Sequence, residues 1–247
     1  MLTNSSLYGK GIFTSVAVYD SKPFLWEKHW RRLVNNASKI GIDLSEHSDE
    51  TTRKALDEII KRDKVINGRA RITIYDESQS GIWSSDTERK TVLQIITGDV
   101  RPISDNFRLS TSPYPINLRS PLAGVKSCNY LEQIMSLDEA KGRGFDEAVR
   151  LNENGIVTSA CMANVFWLKA GRLYTPSLKT GCLAGTTREF VLENLECEEV
   201  ESEIGELDSA EAIYLTSAGL GIIAAAEFIN RKLTNARHPI LELLITN

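Results

Sequence analysis

Histidine is scarce in this chain, with three in 247 residues (His29, His47 and His238). So few imidazoles argue against a zinc site and leave a histidine-based nucleophilic triad few candidates. The four cysteines, Cys128, Cys161, Cys182 and Cys197, are far apart and form no CxxC pair. That excludes a disulfide framework and fits idle thiols in a reducing cytoplasm. No apolar run approaches the roughly 20 residues that span a bilayer. There is no excess of positive charge: the net charge is −4 with both signs interspersed, which gives nucleic acid no basic face. The opening MLTNSSLYGKG lacks a basic stretch followed by an apolar core, so no secretory signal is expected. Internal repeats and low-complexity tracts are also missing. What remains is an ordinary globular composition, 42% hydrophobic and 25% charged. The length suits one large domain or two small ones, each able to bury a real core.

The pattern of apolar residues predicts an N-terminal α+β domain over 1–98. GIFTSVAVY (11–19) is β-branched and aromatic, as a strand requires. Trp30, Leu33, Val34 and Ala37 recur at helical spacing within 26–40, and Leu56, Ile59 and Ile60 within 48–61. Strands follow at 70–75 and 91–97, joined by a long polar turn over 76–90. Residues 99–106 read as a linker, where Asp, Pro and Ser cluster without periodicity. A larger domain over 107–247 is strand-rich. Strands are expected at 107–112, 147–152, 155–159, 164–169 and 172–174, and helices at 130–142, 186–195 and 219–228. The alternation is too irregular for a parallel βαβ sheet and predicts a mixed α+β fold.

Four groups of residues can carry chemistry. Lys126, in AGVKSCNYLEQ, precedes a helix that Asn129 can cap. A partly desolvated lysine there has a lowered pKa and serves as nucleophile or base. Gly185, Thr186 and Thr187 open the next helix with hydroxyls and free N–H groups, an anion site in waiting. Thr216 and Ser217, in YLTSAGLGI, repeat that pattern at a second strand end. Arg32, in HWRRL, can reach a phosphate in bidentate fashion. Each has an ordinary alternative: a solvated lysine, a simple N-cap, a common strand–helix junction, a solvated helix arginine. Together they point to a phosphorylated cofactor held near an amine, which is the signature of pyridoxal phosphate.

Longer stretches carry a resemblance. YGKGIFTSVAV with PFLWEKHWRRL, KSCNYLEQIMSLDEAKGRGFDEAVRLNENG, and above all NVFWLKAGRLYTPSLKTGCLAGTTREFV are similar to the class IV aminotransferases, the fold-type IV pyridoxal-phosphate enzymes. The resemblance runs from residue 8 to residue 221. It implies a two-domain fold and a homodimer with active sites near the subunit interface, acting on a small amine or amino acid. It also implies roles. Lys126 takes the Schiff-base position. Arg32, Thr186, Thr187 and Thr216 or Ser217 bind the phosphate. Tyr130 approaches the phenolic oxygen, Leu183 packs on the pyridine ring, and Asn164 shapes the adjoining loop.

Two positions depart from the family. The family usually has GxVTE where this chain has GIVTS, so Ser159 replaces the glutamate that pairs with the pyridine nitrogen. A neutral hydroxyl does not favour pyridinium as a carboxylate does, and the ring becomes a weaker electron sink unless another acid substitutes; the ordinary alternative is a hydroxyl satisfied inside a packed turn. Thr14 stands where many aminotransferases have glutamate, beside the expected substrate site. Thr14, the spacing from Lys126 to Asn129, and PLAG before Val125 look more like the 4-amino-4-deoxychorismate lyases of the family than its branched-chain aminotransferases. Such a lyase gains driving force from aromatisation and tolerates a weak sink. A class IV aminotransferase, and a family member without catalysis, stand as alternatives.

Overall fold

The computed structural model describes residues 2–79, 90–100, 102–233 and 238–244. The expected turn over 76–90 falls largely at 80–89, outside the described residues. The chain groups into two compact units. One comprises Met1–Val100 with Val125–Tyr130, the other Arg101–Gly124 with Leu131–Asn247.

In the first unit, α1 (Asn4–Tyr8) leads into β1 (Gly11–Tyr19) and β2 (Lys22–Pro23); α2 (Trp26–Ile40) and α3 (Asp49–Arg62) follow, then β3 (Gly68–Asp76) and β4 (Thr91–Gly98). The antiparallel sheet runs β2-β1-β3-β4. Helix α2 buries Trp26, His29, Leu33, Asn36 and Ala37, the i, i+3, i+4, i+7 stripe of an amphipathic helix. Helix α3 starts with a capping box between Ser48 and Thr51 and carries Asp49 and Glu50 in its first turn, which suits the positive end of the helix dipole. Leu33, Leu56, Ile72 and Ile74 are fully buried in the shared core. Truncating one such leucine to alanine would cost about 2–5 kcal/mol.

The segment 125–130, predicted to belong with the second domain, adds an edge to β1. Phe13 N donates to Lys126 O at 3.0 Å, and Cys128 N donates to Gly11 O at 2.8 Å. Asn129 Nδ2 donates to Gly9 O at 3.1 Å. These backbone bonds to β1 are what no local sequence pattern announces.

The second unit holds two five-stranded sheets. Its strands are β5 (Arg108–Thr111), β6 (Glu147–Leu151), β7 (Val157–Ala160), β8 (Asn164–Lys169), β9 (Arg172–Pro176), β10 (Glu198–Val200), β11 (Ala212–Ser217), β12 (Gly221–Ala224), β13 (Glu227–Phe228) and β14 (Arg231–Lys232). Helices α4 (Leu131–Gly142), α5 (Thr186–Asn194) and α6 (Gly205–Asp208) complete it. The strand orders are β10-β9-β8-β11-β12 and β14-β13-β5-β6-β7. Parallel and antiparallel pairs coexist, so the sheets are mixed as expected. Val149, Val157, Val165, Trp167, Ile213 and Phe228 share one core.

One expected helix is absent. Residues 219–228 instead hold the hairpin return β12 and a strand of the other sheet, β13: β12 pairs antiparallel with β11, from Ser217↔Gly221 to Tyr214↔Ala224. Gly221 takes a φ of 69°, which glycine adopts without strain and which closes the turn. Ile222 and Ile223 then favour strand over helix. Thr216 and Ser217 therefore stand at a strand–strand turn, not before a helix.

Candidate active site

In the first unit, β1 and α2 set up a chain of three side chains. Thr14 is fully buried in β1. Arg32 Nη2 donates to Thr14 Oγ1 at 2.7 Å, and the same oxygen lies 2.7 Å from His29 Nδ1. His29 and Arg32 are three residues apart on α2 and so share a face. Burial, then the charges of Arg32 and Lys126, hold His29 well below the usual imidazole range, so it is neutral at physiological pH. A neutral Nδ1 can accept the one proton of a hydroxyl that already accepts from arginine.

Lys126 projects from the edge segment beside this chain. Its Nζ donates to Tyr130 Oη at 3.2 Å. It lies 4.5 Å from the centre of the Phe13 ring and 4.8 Å from that of Tyr130. Phe13 and Tyr130 pack edge to face, and Arg71 stacks on Phe13 at 3.5 Å. Burial, followed by the charges of Arg32 and Arg71, pushes the lysine well below its ordinary range. The sequence predicts such a desolvated amine, and the aromatic walls with two guanidiniums supply the cause.

In the second unit, β8, β11 and the start of α5 converge. Asn164 pairs in register with Thr216, and its Nδ2 donates to Leu183 O at 2.9 Å. A Cβ on Gly185 would stand 2.0 Å from Asn164 Oδ1, so only glycine fits this approach. No side chain caps α5 at Gly185. Thr186, Thr187 and Arg188 of the first turn are all buried. Arg188 is turned away from the helix start, bonded to Pro176 O at 2.8 Å and to Glu199. Thr216 is 1% exposed, and its Oγ1 has no hydrogen-bond partner among the described residues. Ser217 Oγ accepts from Leu220 N at 3.1 Å. An orphaned hydroxyl, a helix N-terminus without a side-chain cap and a glycine that admits close approach fit a phosphate group.

Ser159 lies on β7, half-buried, directly opposite Arg150 of β6. Leu183 is half-buried at the bend before α5. Thus Arg32, Thr14, Lys126 and Tyr130 share the first unit, and Ser159, Asn164, Leu183, Thr186, Thr187, Thr216 and Ser217 share the second. Sequence reasoning passed over His29, Arg71, Glu147 and Arg150. The available signal was polarity in the wrong place: Arg71 and Arg150 each stand between apolar strand neighbours. Glu147 is fully buried and accepts N–H bonds from Ala148 at 3.1 Å, Cys161 at 3.0 Å and Met162 at 3.2 Å. Burial still raises its pKa. Cys161 and Cys182 are buried, and all four cysteines are unbridged.

The first unit thus carries a buried lysine among aromatic rings, and the second a strand–helix junction suited to an anion. The family model for class IV aminotransferases matches residues 11–228, and the chain belongs to that family. Aminodeoxychorismate lyase of Bacillus subtilis is 30% identical over 227 residues, covering 88% of this chain and 77% of the relative. A Legionella pneumophila structure, provisionally assigned as a 4-amino-4-deoxychorismate lyase, superposes with a TM-score of 0.89 at 27% identity, covering 98% of this chain and 91% of that one. A hypothetical aminotransferase from Mycobacterium tuberculosis, in its PLP-bound form, shares the fold with a TM-score of 0.83 at 19% identity, covering 98% and 88%. The mixed α+β architecture is that of these enzymes. Among the described residues no helix is long and apolar enough to cross a membrane.

Proposed function

We propose that this chain is a pyridoxal-phosphate-dependent 4-amino-4-deoxychorismate lyase, releasing 4-aminobenzoate and pyruvate. The observation that carries the reading is Lys126, a desolvated amine 3.2 Å from the Tyr130 hydroxyl. The likeness to the Bacillus subtilis lyase supports the choice of reaction.

The bound cofactor supplies a carbonyl for the substrate amine and a ring that draws electrons from the amine-bearing carbon. Lys126 would hold it and carry the proton from that carbon. Burial beside Arg32 and Arg71 holds Lys126 well below the ordinary lysine range, which favours a free lone pair on Nζ for both tasks. Tyr130 Oη accepts a hydrogen bond from Nζ and fixes its direction. Burial first, then the charges of Arg32 and Arg71, lower the pKa of that amine. Thr186, Thr187, Thr216 and Ser217 would hold the phosphate in the second unit, and the first unit presents Arg32 as an anion-binding guanidinium. Thr14 and His29 orient Arg32 through the Thr14 hydroxyl. Leu183 would pack against the pyridine ring, and Ser159 would offer its hydroxyl to the ring nitrogen. A cytoplasmic homodimer is part of the same proposal.

The test is incubation of the holoenzyme with aminodeoxychorismate. Stoichiometric 4-aminobenzoate and pyruvate are expected, and the lyase reading fails if neither forms. A second reading, amino transfer, draws on Arg71, whose guanidinium over Phe13 can hold an amino-acid carboxylate. Amino-acid donors would then convert the cofactor absorbance to that of the pyridoxamine form.

A further inference from the structure

The residue facing Ser159 across the β6–β7 pair is an arginine. Arg150 is directly opposite Ser159 in an antiparallel register, so the two side chains leave the same face of the sheet. Arg150 is 1% exposed. A guanidinium has five N–H donors and no acceptor, and it does not lose its charge in proteins. Taking one out of water is costly unless its donors are used. Those of Arg150 are poorly used. Nη2 reaches Tyr114 O and Glu132 Oε2, each at 3.4 Å, the outer limit of a hydrogen bond. The Glu132 side chain is 74% exposed and so well solvated. Buried Nε has no partner among the described residues.

No other carboxylate on these strands compensates the charge at this face. Glu147 is three residues earlier on β6, and alternation along a strand turns it to the opposite face. There it is committed to the N–H groups of Ala148, Cys161 and Met162. The Ser159 position thus carries a hydroxyl backed by an under-bonded buried cation.

We propose that Arg150 and Ser159 together form a donor-only, cationic seat for the cofactor's pyridine nitrogen and hold that nitrogen unprotonated. The inference rests on the pyridoxal-phosphate reading above. Its physical basis is acceptor matching. An unprotonated ring nitrogen is an acceptor and satisfies an N–H or O–H donor, whereas a protonated one would set a third donor, and a like charge, against Arg150. The seat makes the ring a weak electron sink by construction. It therefore selects for eliminations whose product supplies its own driving force, as an aromatic product does, and against reversible amino transfer.

The experiment uses the full-length holoenzyme loaded with pyridoxal phosphate carrying 15N in the ring. The nitrogen resonance is followed as pH is varied, in the natural protein, in Arg150→Leu and in Arg150→Leu/Ser159→Glu. The natural protein should show an unprotonated nitrogen at neutral pH. Arg150→Leu should raise the ring-nitrogen pKa by about 1–3 units, and the double variant should be protonated at neutral pH. A protonated nitrogen in the natural protein overturns the proposal without any variant being needed. So does an Arg150→Leu titration that matches the parent. Borohydride reduction followed by peptide mapping separates the two levels: no label on Lys126 sinks the cofactor reading itself, whereas labelled Lys126 with a protonated ring sinks the Arg150 seat alone.

Discussion

The Thr14 hydroxyl accepts a 2.7 Å hydrogen bond from Arg32 Nη2, across from a buried strand to the flank of a helix. His29 Nδ1 lies 2.7 Å from the same oxygen. Thr14→Val keeps the shape and removes the hydroxyl that Arg32 and His29 share. Loss of that hydrogen bond should lower stability by about 1–3 kcal/mol, and pyridoxal-phosphate affinity should fall roughly tenfold. Thr14→Ser should restore both. Equilibrium titration with the cofactor decides the matter, and parent-like affinity in Thr14→Val would show that Arg32 needs no such anchor.

Lys126 links stability to pH. Its folded pKa is depressed, so between that value and the ordinary lysine range the unfolded chain binds the extra proton. Stability of the cofactor-free protein therefore falls as pH drops through the ordinary lysine range and levels off below the folded value. Lys126→Met removes this dependence. It should raise the melting temperature at neutral pH while abolishing covalent cofactor attachment. A variant that melts lower than its parent at neutral pH would contradict the desolvation argument.

Thr216 separates binding from folding. Its hydroxyl is buried without a partner, so Thr216→Val should leave the cofactor-free protein unchanged or steadier by about 1 kcal/mol. Phosphate affinity should nevertheless decline. Calorimetry of the free protein and cofactor titration, run side by side, test both halves. Equal loss of stability and affinity would mean the hydroxyl is structural.

Gly185 is held by its neighbour. A methyl there collides with Asn164 Oδ1, and displacing that amide breaks its bond to Leu183 O. Gly185→Ala should cost about 1–3 kcal/mol. Adding Asn164→Ala should recover part of the loss, a coupling of about 0.5–3 kcal/mol in a double-mutant cycle. Strictly additive losses would place the strain elsewhere.

Legibility followed locality. The helix at 26–40 was plain because its burial stripe is periodic within the helix itself. The strand at 164–169 was plain because all but Lys169 are buried. The hairpin at 217–224 misled because GLGIIA is apolar on every side, and only pairing with β11 decides between helix and strand. Lys126 and Thr216 were singled out from their place at element ends. Their environments were not legible. The lowered pKa of Lys126 depends on its burial, with Phe13 against it, and on the charges of Arg32 and Arg71. Arg150 drew no notice because an arginine within a strand carries no sign of what it faces. Its partnership with Ser159 exists only in the β6–β7 register.

The six residues 125–130 belong to the first unit while the chain on either side belongs to the second. The backbone therefore passes between the units three times, near residues 100, 124 and 130. A single proteolytic cut or a single genetic junction cannot separate two self-sufficient halves. A fragment ending near residue 100 would leave the Gly11–Phe13 edge of β1 unpaired and would lack the lysine altogether. Modularity is forfeited at the spot where the amine is installed, so this enzyme should be inherited, truncated or transplanted only as a whole.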